Sequence, residues 1–507
     1  MFKRIDTMLN NVTMYRLMVY YLGGLLGVAF IVGLFGKVGF NPFALLLSTA
    51  VLLGACWGIN RAFAALFKVS VNHESSIITA LILALIITPA FDQYTIAFLL
   101  ATSGLAIVSK YLLSVGNTHL FNPVAIAVAL TAVGAQQTAS WWVGTAIMLP
   151  FVIIGGLLVI RKTKRYGMLI SYVVTTFAAT ALFSVLGNGD VLTVLKQAAL
   201  TSPLFFLGFV MLTEPATSPG KKRDQWWYGA LVGLLIPPQV HIGSLYTSPE
   251  IALIIANAFA YIVSPRLRVF PKLIEKKQVA TNSFDIIFAV DKKISYKPGQ
   301  YMEWTLPHKD IDSRGNRRYF TLASSPTEDT LRLGIKFYEP SSSYKKTLTA
   351  ITEETPIVAA HVAGDFVMPN NEKQKLTFIA GGIGITPFRS MVKYLVDSHQ
   401  SRDVLLLYAA NTRGDIAYSE LFEQARQQFG MATTYVLSKP ENEQSLTTYE
   451  RAGYIDADAI TALVPDYKER VFYISGTHQM VVAVHDTLVH LGVPRTHIKS
   501  DFFPGYV

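Results

Sequence analysis

The chain of 507 residues is almost without cysteine. Its single thiol, Cys56, lies in an apolar segment, where a free cysteine usually behaves as a small buried residue. One thiol cannot form an intrachain disulfide, and it cannot supply the several thiolates that an all-cysteine iron–sulfur cluster requires. A disulfide-stabilised fold and a cysteine-ligated cluster within one chain are therefore excluded, and we expect no metal site.

Charged residues are scarce in the first half. Residues 1–264 hold 22 of the 78 charged residues (44 Lys and Arg, 34 Asp and Glu), and the remaining 243 residues hold 56. This change predicts a boundary near residue 264, followed by a basic linker over 265–277. The net charge of +10 could indicate nucleic acid, but most of the surplus in the first half borders apolar segments. Lipid headgroups explain it better, so we expect a lipid bilayer and no nucleic acid as partner.

Ten apolar segments follow one another in residues 1–264, and several reach the ~20 residues that span a bilayer. This pattern predicts a polytopic α-helical membrane domain. The segments are 15–35, 43–65, 77–90, 94–113, 121–134, 141–160, 167–186, 200–213, 227–245 and 249–264.

Two of the short segments hold corresponding positions. Segments 77–90 and 200–213 are each third in a group of five, and their ends, IITPA and MLTEPA, are alike. Two five-helix repeats of inverted orientation, with broken helices around a mid-membrane site, would explain this arrangement. Plain short helices with polar ends are the alternative.

Basic residues between the segments are unevenly distributed. With the N-terminus inside, thirteen Lys and Arg residues fall on the inner side and two, Lys37 and Lys196, on the outer side. Because positive residues concentrate in cytoplasmic loops, we expect both termini and the second half in the cytosol, at a bacterial inner membrane. No cleavable signal is expected, since the first apolar run is long enough to span.

The second half changes its pattern once. Residues 278–369 contain short β-like runs separated by turns, which predicts a small antiparallel β-barrel. Over 370–507, apolar strands alternate with helical stretches, which predicts an α/β domain with a parallel sheet. Here residues 381–387, GGIGITP, follow the run LTFIA. A glycine cluster between strand and helix lets backbone N–H groups approach a pyrophosphate closely.

Residues 278–507 resemble the ferredoxin–NADP reductase superfamily. Residues 318–321, Arg-Tyr-Phe-Thr, stand where that family has its flavin motif, and residues 381–387 resemble its nicotinamide dinucleotide turn. The resemblance implies a two-part reductase that binds FAD and either NADH or NADPH, and that passes hydride from nicotinamide to flavin. The residues that it assigns to cofactor binding are Arg318, Tyr319, Phe320, Thr321, Ser342, Ser343, Gly381, Gly382, Gly384, Thr386, Pro387 and Gly476.

The same resemblance implies three residues at the reacting rings. Thr321 would bond near the flavin N5, Ser475 would lie beside the nicotinamide in place of the usual cysteine, and Tyr506 would cover the flavin. A plain tail residue is the alternative for Tyr506. Arg413, after the second strand of the nucleotide domain, could read an NADP 2′-phosphate or be a solvated loop residue. The choice between NADH and NADPH stays open.

Residues 15–264 resemble the NqrB/RnfD family of membrane flavoproteins, whose members belong to the sodium-translocating NADH:quinone oxidoreductase and to the Rnf complex. The stretches that carry the resemblance are HLFNPVAIAVAL from His119, the segment that follows Glu74, and FLGFVMLTEPATSP over 206–219. It implies a flavin pocket near the short helices. The candidates to line it are Ser75, Ser76, Asn122, Thr213, Glu214 and Thr217.

The family's covalent attachment signature, Ser-Gly-Ala-Thr, is absent. We therefore expect FMN or riboflavin held without a covalent bond, or a site that uses quinone alone. Haem is disfavoured, because only His73, His119 and His241 border apolar segments and they do not recur as paired ligands.

Together these expectations describe a membrane-bound NAD(P)H-dependent flavin oxidoreductase. It would pass electrons from cytosolic NAD(P)H through FAD to a membrane flavin, and on to quinone or another acceptor. Since the chain holds no cysteine-ligated relay, the FAD must approach the membrane acceptor directly or a partner must bridge them. The alternative is an ion transporter that the reductase energises, and a homo-oligomer is compatible with either function.

Overall fold

The computed structural model describes residues 5, 8–9, 12–67, 73–115, 118–243, 245–264, 268–309, 311–312, 315–440 and 442–503. The chain divides into two compact units, residues 1–266 and 267–507. Each unit is described by itself.

The first unit is helical. Its helices are α1 Met14–Leu34, α2 Pro42–Leu66, α3 His73–Ile86, α4 Gln93–Leu112, α5 Pro123–Gly134, α6 Leu149–Thr163, α7 Tyr166–Leu186, α8 Val191–Leu200, α9 Leu204–Met211, α10 Lys222–Leu235 and α11 Pro249–Val263. Two short hairpins pair β1 Ser114–Val115 with β2 Thr118–His119, and β3 His241–Ile242 with β4 Leu245–Tyr246.

Within the described part of the chain, four helices are long and apolar enough to cross a membrane: α1, α2, α4 and α7. Helices α8 and α9 qualify as a fifth span only when taken together, and they meet at a bend of 54°. Apolar side chains such as Ile31, Leu46 and Val174 remain exposed on the long helices, as a lipid-facing surface requires. The described residues thus contain four or five candidate spans. The predicted count of ten spans stays a prediction.

The predicted helix over 141–160 begins only at Leu149. Residues 140–143 instead close the end of α3. The backbone N–H of Trp141 donates to the Ile86 carbonyl at 2.9 Å, and the Trp142 indole N–H donates to the Ala84 carbonyl at 3.0 Å. Carbonyl groups at a helix end inside apolar surroundings are costly unless they are bonded, so this loop lets the short helix stop there.

The second unit begins with antiparallel strands. They are β5 Arg268–Val269, β6 Lys272–Ala280, β7 Ser283–Ala289, β8 Tyr301–Thr305, β9 Arg317–Thr321, β10 Leu331–Lys336 and β11 Val358–Ala363, with helix α12 Ser343–Thr349 between the last two. They form a three-stranded sheet, β10-β7-β6, and a four-stranded sheet, β5-β11-β8-β9. A single closed barrel stays a prediction.

The segment expected to be a basic linker, 265–277, lies largely in strands. Lys276 and Lys277 belong to β6, which is at the edge of its sheet, and both are exposed. Lysines on an edge strand discourage pairing with other chains, so their charge is compatible with a strand.

The rest of the unit is an α/β fold. Its elements are β12 Leu376–Gly381, α13 Thr386–Asp397, β13 Val404–Ala410, α14 Ser419–Phe429, β14 Ala432–Leu437, β15 Glu450–Ala452, α15 Ala457–Leu463, β16 Val471–Thr477, α16 His478–His490 and β17 Ile498–Phe503. All six strands are parallel, in the order β15-β14-β13-β12-β16-β17.

The chain order reverses between β12 and β16. Parallel sheets bind ligands at such a switch point, outside the carboxyl ends of the strands. The glycine turn of residues 381–384 lies at the carboxyl end of β12. The fold thus places this turn where a dinucleotide would bind.

Candidate functional site

The glycine turn packs backbone against backbone. Gly381 ends β12, residues 382–385 form a 3₁₀ turn, and α13 begins at Thr386 with Pro387 in its first turn. A Cβ on Gly384 would lie 2.5 Å from the Ser475 carbonyl oxygen and 2.6 Å from Gly476 Cα. Only glycine permits this approach of the turn to the end of β16.

Gly382 has a different role. Its φ is +53° and a Cβ there would meet no atom within 4 Å. The open space leaves the backbone of this residue accessible beside the N-terminus of α13. Backbone N–H groups at such a turn fit a pyrophosphate without obstruction.

Ser475, implied to lie beside the nicotinamide, is at the end of β16 but is fully buried. Its hydroxyl has no hydrogen-bond partner among the described residues. The structure therefore brings Ser475 to the switch point with Gly381, Gly384 and Gly476, and its role there stays a prediction. Tyr506 lies outside the described residues.

The flavin motif occupies β9. Thr321 is buried and lies opposite Tyr301 of β8, while Tyr319 is exposed and donates to Glu303 Oε2 at 2.7 Å. The Phe320 ring lies 6.0 Å from the Tyr344 ring. Alternation along the strand places Tyr319 and Thr321 on one face and Phe320 on the other.

Arg318 lies close to the segment that holds the candidates Ser342 and Ser343. Its guanidinium lies 5.0 Å from the centre of the Tyr344 ring and 3.6 Å from Asp312 Oδ1. Asp312 also accepts from the Ser343 backbone N–H at 3.1 Å, and the Ser342 hydroxyl caps α12. Asp312 therefore links Arg318 to Ser343, next to the Ser342 cap, and diphosphate binding by these three residues stays a prediction.

A ring of charged and polar side chains, which sequence reasoning missed, connects the antiparallel strands to the α/β fold. Arg389 of α13 makes a two-point contact with Glu328, at 2.5 and 2.9 Å. Arg332 donates to Asp285 at 2.8 Å, Tyr418 donates to the other oxygen of Asp285 at 2.5 Å, and Arg389 lies over the Tyr418 ring. One signal in the sequence could have indicated these contacts. Arg389 is a charged residue among the residues that the helix buries, so it needs a partner.

Burial alone would raise the pKa of Glu328, but the hydrogen bonds and charge of Arg389 outweigh it and lower that pKa. Burial and the neighbouring Asp285 raise the pKa of Tyr418 well above its usual value, so its hydroxyl stays a donor. The ring therefore holds its charges at neutral pH. We call Asp285, Glu328, Arg332, Arg389 and Tyr418 the junction ring.

In the first unit, Glu214 is the centre of a polar cluster at the end of the short helix α9. It accepts from Asn122 Nδ2 at 2.9 Å and from the Thr217 hydroxyl at 3.0 Å, and its other oxygen lies 2.9 Å from His119 Nε2. Asn257, which sequence reasoning missed, accepts from the Asn122 backbone N–H through its Oδ1 at 2.8 Å. Three predicted residues, Asn122, Glu214 and Thr217, therefore meet.

The other three candidates have separate surroundings. The Ser76 and Thr213 hydroxyls donate to carbonyls of their own helical turns, those of His73 and Phe209. Ser75 instead contacts Lys110, whose ammonium donates to the Ser75 hydroxyl at 3.0 Å and carbonyl at 2.9 Å. The structure thus connects Ser75 to a lysine and leaves Ser76 and Thr213 with local bonds.

Among the described residues, no group of three or more His, Cys, Asp and Glu side chains could hold a metal ion. Cys56 is fully buried.

Two family models match the chain. Residues 135–268 match the NQR2, RnfD, RnfE family, and residues 378–486 match the oxidoreductase NAD-binding domain. The second match lies within residues 278–507, and the first overlaps residues 15–264 and ends four residues beyond them. Both resemblances are confirmed.

Curated relatives were also found. A flavohemoprotein from Bacillus cereus is 26% identical over 219 residues, 42% of this chain and 54% of that protein. The reductase subunit of stachydrine N-demethylase from Rhizobium meliloti is 26% identical over 219 residues, 42% of this chain and 60% of that protein. The chain spans about half the length of the curated relatives that it matches.

A solved structure is similar as well. It is the flavohem-like FAD/NAD-binding domain of nitric oxide dioxygenase from Vibrio cholerae, with 20% identity and a TM-score of 0.41 over 46% of this chain and 98% of that one. This chain therefore joins a segment that matches the NQR2, RnfD, RnfE family, at residues 135–268, to a segment that matches the oxidoreductase NAD-binding domain, at residues 378–486.

Proposed function

We propose that the protein oxidises NADH or NADPH in its second unit and passes the electrons through FAD to a flavin in its first unit. That flavin is FMN or riboflavin without a covalent bond, and the final acceptor is a quinone or another oxidant. The observation that carries the proposal is the close packing of Gly384 on Gly476 at the switch point, within the matched NAD-binding domain.

The chain's own residues have assigned parts in this proposal. Gly382 and the start of α13 hold the dinucleotide pyrophosphate, with Gly381, Gly384, Thr386, Pro387 and Gly476 shaping the turn. Arg318, Ser342 and Ser343 hold the pyrophosphate of FAD. Phe320 packs on its ring system and Tyr319 is a further contact on the same strand, while Thr321, Ser475 and Tyr506 act at the reacting rings. Bound FAD accepts a hydride and releases electrons singly.

In the first unit, Ser75, Ser76, Asn122, Thr213, Glu214 and Thr217 line the pocket of the membrane flavin. The Glu214 cluster supports this location, because ionisable residues in a membrane unit are costly and usually functional. We further propose ten spans in two inverted repeats in a bacterial inner membrane, with the second unit in the cytosol. The bent pair α8–α9 supports the broken-helix element of that arrangement.

Two measurements test the proposal on the full chain, purified in detergent. Flavins released by denaturation are identified and counted, and we expect FAD together with FMN or riboflavin. Oxidation of NADH and NADPH is followed with a soluble artificial acceptor. A flavin-loaded protein that oxidises neither nucleotide would overturn the reductase function, and a sharp Soret absorption band would show haem instead of the membrane flavin.

A redox-energised ion transporter is the second candidate, favoured by the partly buried Glu214 cluster beside a bent helix pair. Ion flux is measured in proteoliposomes with and without reduced nicotinamide. Flux that requires the nucleotide supports the transporter, whereas electron transfer without flux supports the simpler oxidoreductase.

A further inference from the structure

Helix α13 starts at the dinucleotide turn and is hydrogen-bonded to the segment that directly follows the strand with the flavin motif. Arg389 stands three residues after Thr386, and its guanidinium donates to the Ala323 carbonyl at 2.7 Å. Ala323 stands two residues after Thr321. The next residue of the helix, Ser390, donates to the Ser324 carbonyl at 2.6 Å. The two proposed cofactor segments are therefore joined through a few bonds.

The contact between α13 and this segment is rigid because its side chains are largely buried and make several hydrogen bonds. The Arg389 side chain is 8% exposed and Glu328 is 14% exposed. Planar two-point contact between a guanidinium and a carboxylate fixes orientation as well as distance. The remaining members of the junction ring hold Glu328 and Arg389 from the other side, through Arg332 and Tyr418.

We propose that Arg389 is a positioning residue that sets the geometry between the bound nicotinamide and the flavin. This inference rests on the proposed function. Arg389 acts through the Thr386 turn on one side and the Ala323 segment on the other. Hydride transfer requires the reacting atoms to be ~3–3.5 Å apart, and a misplacement of ~1 Å can cost ~100-fold in rate.

The chain offers a matched control in Arg470. This arginine is also 8% exposed, it pairs with Asp403 and Asp466, and it donates to the Leu376 carbonyl at 3.1 Å. Leu376 begins β12, whereas the dinucleotide turn is at the other end of that strand. Arg470→Lys therefore weakens a comparable buried contact of the same sheet, away from the cofactors.

The experiment measures flavin reduction by NADH and by NADPH in the flavin-loaded full chain, by rapid mixing over a range of nucleotide concentrations. We expect Arg389→Lys to lower the limiting reduction rate about 10-fold or more, with the nucleotide Kd changed less than about twofold. The kinetic isotope effect, measured with nucleotide deuterated at the transferred position, should be at least as large in Arg389→Lys as in the wild type. Arg470→Lys should leave the limiting rate within about twofold.

Glu328→Gln, the second variant, changes the other partner of the same contact and should show the same loss of rate. It tests the proposal if Arg389→Lys does not fold. Equal limiting rates in Arg389→Lys and wild type, or a change in Kd alone, would overturn the positioning role. Equal losses in the Arg389 and Arg470 variants would show a general structural effect and also overturn it. Absence of flavin reduction in the wild type with both nucleotides is a different result, since it contradicts the proposed function itself.

Discussion

Arg413 and Glu450 form a two-point ion pair in the second unit. Nε of Arg413 lies 2.7 Å from Oε1 of Glu450, and Nη2 lies 2.6 Å from Oε2. Nη2 also donates to the Ser445 carbonyl at 2.5 Å. Hydrogen bonding from Arg413 lowers the pKa of Glu450 to about 2, so the carboxylate is charged at neutral pH. A 2′-phosphate would have to compete with it for the guanidinium.

This contact leads to a prediction about nucleotide choice. We expect Arg413→Ala to change the ratio of kcat/KM for NADPH and NADH by less than about threefold, because Glu450 already occupies the guanidinium. Steady-state oxidation of both nucleotides by the full chain provides the measurement. A loss of about tenfold or more that is confined to NADPH would show that Arg413 binds the 2′-phosphate despite Glu450.

Gly384→Ala should damage the dinucleotide turn. The new methyl group would meet backbone atoms of Ser475 and Gly476, which cannot rotate away, so the turn must move. We expect KM for the nicotinamide nucleotide to rise about 10-fold or more, with a stability loss of about 1–3 kcal/mol.

Gly430→Ala is the control for that change. Gly430 ends α14 at φ +75°, where a Cβ meets no atom within 4 Å. The left-handed conformation alone should cost about 1–2 kcal/mol and leave KM unchanged. Thermal unfolding and steady-state kinetics separate the two effects. A normal KM in Gly384→Ala would contradict the assigned role of the turn.

The contact between Asp466 and Arg470 predicts a dependence of stability on pH. Hydrogen bonding from Arg470, together with Lys375, lowers the pKa of Asp466 from 3.8 to about 2. A depressed folded-state pKa stabilises the protein above the unfolded pKa, and this stabilisation is lost as pH falls through the folded pKa. Solvent screens this partly exposed contact, so the stabilisation is below about 2 kcal/mol.

Asp466→Asn tests this dependence in denaturant titrations of the second unit's unfolding, within the full chain, at pH 7 and at successive values down to pH 2. We expect the variant to lose stability at pH 7 and to show a shallower decline between pH 3.8 and about 2. Parallel curves for wild type and variant would contradict the prediction.

Glu214→Ala should destabilise the first unit. It removes the acceptor of Asn122 Nδ2 and Thr217 Oγ1, and buried donors without an acceptor cost about 1–3 kcal/mol each. Thermal unfolding in detergent should show a lower midpoint, whereas Glu74→Ala, at a half-buried position of the same unit, should show a smaller change. NADH oxidation with a soluble acceptor should remain normal in both variants, because that reaction uses the second unit. An unchanged midpoint in Glu214→Ala would contradict the assigned contacts.

The predicted topology can be tested by thiol labelling, since the only native thiol, Cys56, is buried and replaceable. In a Cys56→Ala background, Lys196→Cys should react with an impermeant reagent added outside intact cells. Lys164→Cys, also at an exposed position, should react only after the membrane is permeabilised. The reverse pattern would invert the proposed orientation.

Periodicity and composition were sufficient for most helices of the first unit. The long apolar runs became α1, α2, α4 and α7 within two residues of their predicted ends, because a run of that length has few other conformations available to it. The run over 141–160 misled, since its first three residues close the end of α3 through contacts distant in sequence and the helix begins only at Leu149. Helix α8 was missed because it is short and its sequence, VLTVLKQAAL, mixes apolar and polar residues.

In the second unit, local pattern determined the strand-turn-helix at Gly381–Gly384, since glycine, an apolar strand and a proline-started helix are neighbours in sequence. Only the tertiary structure decided what surrounds that turn. The junction ring collects five residues from 285 to 418, and the Glu214 cluster joins residues 119 to 257. Such contacts form when buried charges must find partners across the folded chain, and no local pattern encodes which partner is reached.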